Sequence, residues 1–461
     1  MPVPRQRALR HPPLGGSPLH LIRRWFAAGV LGPVLLIVLV ALWGCGRPAR
    51  EPQELSSQHL FRATSAPVIS SPVAWDFDSD GVLEIAVGSW DGYFYVLDAA
   101  LQDLPGWPYY SRKGFFASPA LADVQGDGRA DILVTAESGH LFAWQVDGTA
   151  LPGFPVDLGY ELWSSPVIID AGTIAVGGLE ALHLLDFAGR PVPGWPQEMD
   201  GWADATAASD GKVIAMTSLT PGDPSEGWIS AWLIEGKPLP GFPKALALDS
   251  DSSPALVDLD GDGSQWLVFG DDAGYLHVIS TDGRAREGFP VRSAGPAPGP
   301  TPTPHPPGGN IHSIEASPAV ADMDGDGRYE IAVGSWDGQM YLWDDRGTPV
   351  DGWPIRVADQ IISSAALVDL DGDDLLDVVA GSKDGRLYGW ALDGSALSGF
   401  PKDLGAPVFS SPWVGDLEGD GRADIVVGAD NGIHLLRDVG PLGRADWPMF
   451  HRDVRNTGWV P

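Results

Sequence analysis

Short apolar runs, each ended by turn residues, recur along this chain from about residue 60 onward. Two stretches show the unit: EIAVGSWDGYFYVLD at 84–98 and EIAVGSWDGQMYLWD at 330–344. In each, a Val/Ile-rich run meets an Asp-Gly turn and then an aromatic-rich run, a β-hairpin signal. Apolar and polar positions alternate only partly, as expected of strands buried on both faces. A shorter apolar run and an acidic loop precede each hairpin. A linker and a Gly-aromatic-Pro segment come after it.

Two markers count the units. Ser-Pro or a close variant opens the first apolar run at Ser71, Ser118, Ser165, Ser253, Ser317, Ser364 and Ser411, with a weaker copy near Ala207. Gly-Trp-Pro or Gly-Phe-Pro places aromatics at Trp107, Phe154, Trp195, Phe242, Phe289, Trp353, Phe400 and Trp447, most neighbours lying 47 residues apart. The long interval between Phe289 and Trp353 contains GPAPGPTPTPHPPGGN at 294–309, which reads as an extended surface insert. Four strands per 40–50 residues is the arithmetic of a propeller blade. The expected fold is therefore an all-β propeller of eight four-stranded blades over residues 65–461. Seven blades result instead if units three and four merge into one irregular blade. The terminal WPMFHRDVRNTGW supplies the eighth aromatic-Pro segment, so each blade is expected to be complete without strand exchange.

Residues 1–24 are basic and free of acids, and Trp25–Gly44 is apolar over a length that spans a bilayer as a helix. Basic residues ahead of the span predict export of the chain beyond it. The run ends in Leu42-Trp43-Gly44-Cys45, which resembles a bacterial lipobox with Trp43 at an unusual position. Residues 1–45 are thus a leader with lipidation at Cys45 or an uncleaved anchor helix, and 46–64 a linker. Both readings put the rest of the chain, membrane-anchored, on the extracytoplasmic face. Cys45 is the only cysteine, so no intrachain disulfide staples the fold.

With 61 acidic and 29 basic residues the formal charge is −32, which excludes a general electrostatic grip on nucleic acid. Much of that charge is concentrated in six similar loops. They contain Asp76, Asp78, Asp80 and Glu84; Asp123, Gln125, Asp127 and Asp131; Asp258, Asp260 and Asp262; Asp322, Asp324, Asp326 and Glu330; Asp369, Asp371, Asp373 and Asp377; and Asp416, Glu418, Asp420 and Asp424. Oxygens at positions 1, 3 and 5 of a tight loop converge on one point, and Gly at position 6 permits the sharp turn. A hard, carboxylate-rich set suits Ca²⁺ better than zinc or copper. The closing acid at position 9 and the strand directly after it exclude an EF-hand, which closes at position 12 and enters a helix. Asx-turns alone would need one Asp per loop. Six divalent ions would bring the charge from −32 to −20. Trp266 stands at position 9 of the fifth loop and Asp374 at position 6 of the seventh, where the others have an acid and a Gly. Units three and four retain little more than Asp170 and Asp210, and no calcium is expected there.

These loops resemble the FG-GAP/VCBS-type repeats of integrin α-subunit propellers and of many bacterial surface proteins, over roughly residues 65–450. The resemblance implies that each loop joins the first two strands of a blade and holds one calcium ion, up to about six in all. The opposite face would then collect the Asp-Gly turns and blade connections. Its aromatics Trp90, Trp336, Tyr110, Phe116, Trp163 and Trp202 are candidates to stack on a carbohydrate or anchor a protein ligand.

No G-x-S-x-G, H-E-x-x-H or Walker motif is present. The expected role is adhesion or recognition at the cell surface rather than catalysis. The alternative is a polysaccharide-active enzyme such as a rhamnogalacturonan-lyase-like propeller, for which Arg112, Lys113 and Lys383 are the available cations. A quinoprotein dehydrogenase is disfavoured by the missing vicinal cysteines.

Overall fold

The computed structural model describes residues 59–220, 226–293 and 312–460. The basic leader, Cys45 and the Pro-rich insert lie outside the described residues.

Each of the first seven units folds into an antiparallel sheet of four strands ordered as in the sequence. In blade one these are Val73–Trp75, Glu84–Gly88, Tyr93–Leu97 and Tyr109–Tyr110. The two middle strands are the Val/Ile-rich and aromatic-rich runs of the hairpin signal. Ile85, Val87, Phe94 and Val96 are almost wholly buried. First strands of neighbouring blades contact one another around the ring, which places them at the axis.

The Ser-Pro marker is the hub of this ring. The backbone N–H of Ser71 donates to Ser118 Oγ, Ser118 to Ser165, Ser165 to Thr206 Oγ1, Thr206 to Ser253, Ser253 to Ser317, Ser317 to Ser364, Ser364 to Ser411, and Ser411 back to Ser71. All eight bonds are 2.9–3.1 Å long. A hydroxyl is both donor and acceptor, so one small side chain per blade satisfies its neighbour's buried N–H. The closed circle makes the count eight. Thr206 is the copy of the marker that is weak in sequence.

The second marker clasps one blade to the next. Trp107 Nε1 donates to Val146 O at 2.5 Å, Trp195 Nε1 to Ile234 O at 2.6 Å and Trp353 Nε1 to Leu392 O at 2.8 Å. The peptide bond before proline is cis in seven of the eight copies, from Trp107 to Phe400. The preceding Gly is required by contact as well as by conformation. Gly106 has φ of +95°, and a Cβ there would lie 2.2 Å from Asp147 O in the next blade.

Ring closure differs from the sequence expectation. Blade eight comprises Trp413–Gly415, Arg422–Ala429 and Gly432–Pro441, and its outermost strand is His59–Ala63. Residues read as linker are therefore a strand, and the two ends of the ring exchange. The segment after blade eight completes no blade. Ala445–Trp447 pairs antiparallel with the first strand of blade seven, and Trp459–Val460 pairs parallel with that of blade five. Between them the segment fills the axis and accepts N–H groups from successive first strands. Asp369 donates to Arg444 O, Val414 to Pro448 O, Leu121 to Val454 O, Ile168 to Arg455 O, Ser209 to Thr457 O and Leu256 to Gly458 O, all at 2.7–2.9 Å. Asn456 Nδ2 bridges Pro119 O and Pro166 O at 3.2 and 3.1 Å. The inner edge of each first strand would otherwise present unpaired N–H groups.

Candidate metal centres

Each acidic loop joins the first and second strands of its blade. The loops share one conformation. Residues at position 6 have positive φ in all six, including Asp374 at +69°. Position 4 does too, as Ser79, Gly126, Gly261, Gly325, Gly372 and Gly419. Sequence reasoning identified only the sixth position as a turn. Since Asp374 takes a conformation that costs an L-residue ~1 kcal/mol, Asp374→Gly is expected to stabilise the chain by about that amount in urea denaturation. Unchanged or lower stability would contradict the strain argument.

The closing acid ties each loop shut. Glu84, Asp131, Glu330, Asp377 and Asp424 accept the N–H of position 2, that of Phe77, Val124, Met323, Leu370 and Leu417, at 2.7–3.0 Å. These five carboxylates are buried, while most of the other loop acids are exposed. Burial, joined by repulsion from the loop's other acids, pushes Glu84, Glu330 and Asp377 up to about 7 and Asp131 up to about 6. Asp424 is also raised by burial. A cation facing these groups would remove that penalty.

Three loops bring carboxylate oxygens together. In Asp76, Asp78 and Glu84, in Asp322, Asp324 and Glu330, and in Asp369, Asp371 and Asp377, the candidate ligand atoms lie within 4.8 Å of one another. This oxygen-only donor set fits a hard divalent cation such as Ca²⁺. Asp80, Asp326 and Asp373 are held by the turn, each accepting the N–H two residues ahead. In the second loop Gln125 hydrogen-bonds Asp131. In the eighth, Arg437 pairs with Glu418 at 2.7 Å.

The fifth loop carries an internal cation. Arg286 Nη1 lies 2.9 Å from both oxygens of Asp260, and Trp266 Nε1 also donates to Asp260 at 2.9 Å. The guanidinium sits 4.9 Å from the Trp266 ring. Trp266 thus does more than vacate the closing position, and its loop is the one least suited to a metal. Asp170 and Asp210 cap simple turns, accepting the N–H groups of Gly172, and of Lys212 and Val213.

On the other face, the candidate aromatics separate into three settings. Phe116 and Trp163 pack at a 52° tilt with centroids 4.8 Å apart, and Trp90 meets Trp163 edge-on at 6.5 Å. Trp90 Nε1 donates to Glu137 Oε1 at 2.7 Å, and Trp336 bonds Glu315. Trp202 is pinned to Leu219 by a backbone bridge. Tyr110 lies instead on the outermost strand of blade one, 53% exposed and packed at a tilt against Tyr93. It belongs to the rim. Sequence reasoning missed Asp204, Asp251 and Glu315, which stand two residues before the hub Ser or Thr, in register with Phe116 and Trp163. Reading the same offset across all eight units would have found them. Of the three candidate cations, Lys383 bonds Gln360, Lys113 pairs with Glu161, and Arg112 is exposed.

No protein-family model matches the chain, and no curated protein matches it. Among solved structures, the chain is similar to BamB from Moraxella catarrhalis, with a TM-score of 0.52 and 16% identity, covering 80% of this chain and 96% of that one. It is similar also to the V. cholerae biofilm matrix protein Bap1, with a TM-score of 0.52 and 12% identity, covering 87% and 95%. At such identities the likeness shows the fold alone. The chain is an eight-bladed β-propeller with four-stranded blades, a fold compatible with a recognition or adhesion module.

Proposed function

We propose that this chain is a calcium-binding recognition module of the FG-GAP/VCBS type, exported and tethered to a membrane by its N-terminal segment, that binds a protein or carbohydrate ligand at the cell surface. The observation that carries this reading is the convergence of three carboxylates in each of three loops, each with a buried closing acid that a cation would relieve. Asp76, Asp78 and Glu84, Asp322, Asp324 and Glu330, and Asp369, Asp371 and Asp377 would hold the tightest ions. Loops two and eight bind more weakly and loop five weakest. Ca²⁺ contributes charge neutralisation and loop order rather than a chemical step. The tether rests on the basic leader, the apolar run and Cys45.

Equilibrium dialysis of the purified chain against ⁴⁵Ca²⁺ is expected to give about three tight sites. Asp322→Asn with Glu330→Gln should remove one, and Arg286→Ala should strengthen binding at loop five. Near-zero calcium uptake by a folded sample would refute the loop assignment. Steady release of unsaturated product from pectic polysaccharides would instead favour the lyase alternative.

A further inference from the structure

The axial opening on the face away from the acidic loops is built from one residue per blade. Extended backbone alternates its side chains. Two positions interlock with neighbouring blades: the residue three before the hub Ser or Thr, and the one immediately before it. Phe115, at the first of these, sits so close to Gly88 that a Cβ there would lie 2.5 Å from its own. Ser70, at the second, donates its hydroxyl to Ala117 O at 2.9 Å. The residue between them, two before the hub, therefore faces the axis. Those residues are Ile69, Phe116, Trp163, Asp204, Asp251, Glu315, Ile362 and Phe409. All but Trp163 are partly exposed, although their sequence neighbours are buried.

The ring is sharply divided. One side, from blade seven through blade three, is aromatic and aliphatic, with the Lys383 ammonium 5.7 Å from the Phe409 ring. The other, from blade four through blade six, carries Asp204, Asp251 and Glu315, backed by Asp249 and Asp272. A carboxylate cluster alone proves little, but the aromatic side adds an independent sign. Trp163 is nine-tenths buried, occupies the axis-facing position beside Asp204, and its Nε1 has no hydrogen-bond partner among the described residues. A buried indole N–H usually finds an acceptor. The axial acids do not form a metal chelate. Among the described residues, sets of three ligand atoms within 4.8 Å occur only in the acidic loops. Carboxylates spread across an arc, facing aromatic rings, suit an organic cation with several N–H donors and an apolar body.

We propose that this vestibule binds a ligand bearing primary ammonium groups, held between the Asp204–Asp251–Glu315 arc and the Phe116–Trp163 wall, with a ligand oxygen accepting from Trp163 Nε1. The inference rests on the recognition reading and names the ligand class. It is independent of calcium in the loops. Ammonium chemistry could come from a linear polyamine or from an amino sugar, and the latter also supplies the hydroxyl that Trp163 requires.

The electrostatics give the binding a pH signature. Asp251 faces Asp204, Asp249 and Glu315; Asp272 faces Glu315, Asp249 and Asp251; and Lys383 faces Glu315. Burial holds Asp204 up to about 7 and Glu315 up to about 8. A cation selects the ionised forms, so affinity for a polyamine, which keeps its charge over this range, rises between pH 6 and 8 and binding releases protons.

Calorimetry of the full chain in saturating calcium, with spermidine in one arm and a glucosamine trisaccharide in the other, tests the site. At least one arm should bind, spermidine at pH 8 and the trisaccharide at pH 7, where its amines still carry charge, and the arm that binds identifies the source. Asp251→Asn with Glu315→Gln should weaken it by about tenfold to a hundredfold while thermal stability holds or rises, because two strained buried charges are gone. A purely structural role would lower stability instead. Trp163→Phe should weaken the trisaccharide severalfold. Asp147→Asn with Asp393→Asn removes equal charge from exposed turns and should change nothing. Equal losses in both double variants would reduce the effect to general attraction by an acidic chain. Absence of binding in both arms, with normal calcium uptake, would overturn the vestibule and leave the calcium reading intact.

Discussion

Deleting residues 443–461 is expected to leave the chain unable to fold into a soluble monomer. This segment accepts one N–H from the first strand of each of six blades, and each bond is worth about 0.5–1.5 kcal/mol net. It also buries Trp447 and Met449, at roughly 1.5–3 kcal/mol apiece. Together these amount to about 10 kcal/mol, comparable with the whole stability of a typical domain. Asn456→Ala offers a milder cut. It removes the bridge to Pro119 O and Pro166 O, leaving two buried carbonyls without that donor, and should cost about 2–3 kcal/mol. Circular dichroism and size exclusion of the two variants measure the effect. A truncated chain that melts like the full one would show that the axial segment is an ornament of the ring.

The second large effect is calcium removal. In EDTA the melting temperature should fall by about 10 °C at pH 8. Three sites each holding calcium at about 100 times its dissociation constant contribute roughly 8 kcal/mol. An unfolding entropy of ~2.1 cal/mol/K per residue over the ordered chain converts that to the stated shift. The size of the loss depends on pH. The closing acids Glu84, Glu330 and Asp377 titrate near 7 when folded, and Asp131 near 6, all above their usual range. A carboxyl whose pKa is raised by folding destabilises the native state once it is ionised. Metal-free protein should therefore lose stability as pH rises above the ordinary carboxyl range of about 4 and through 7. Calcium-loaded protein should keep only the share of that fall that comes from the axial acids Asp204, Asp251 and Glu315, because the ion favours the ionised form of the closing acids. Melting curves from pH 5.5 to 8, with and without EDTA, separate the two states. Superimposable curves would remove calcium from the account.

Much of this architecture was legible in the chain because it repeats. The hairpin runs, the Gly-aromatic-Pro segments and the acidic loops are local patterns written many times, and each copy forms by the same short-range physics. The hub serines marked the units, yet their role as a closed hydrogen-bond circle required eight blades to be placed around an axis. Thr206 was faint in the sequence because a hydroxyl in the right place matters there, not the dipeptide Ser-Pro. Trp266 announced a defective fifth loop. Arg286, which fills it, lies 26 residues from Asp260 and could not be paired with it by spacing.

The least legible features join distant parts of the ring. His59–Ala63 is an outer strand with one partner, so its apolar pattern is weak, and only closure of the circle assigns it to blade eight. The WPMFHRDVRNTGW segment resembles the end of a blade but is drawn into the axis, where unpaired N–H groups of six first strands converge. Asp204, Asp251 and Glu315 sit in ordinary connecting segments and become a shared acidic arc only when three blades bring them side by side. The sequence by itself thus determined the blade, the spacing of its copies and the loops in which acids crowd, since these depend on residues within one unit. Tertiary structure alone decided how the ring closes, what fills its centre and which acids face one another across the axis. Those contacts connect residues from different units, and nothing within a single repeat encodes them.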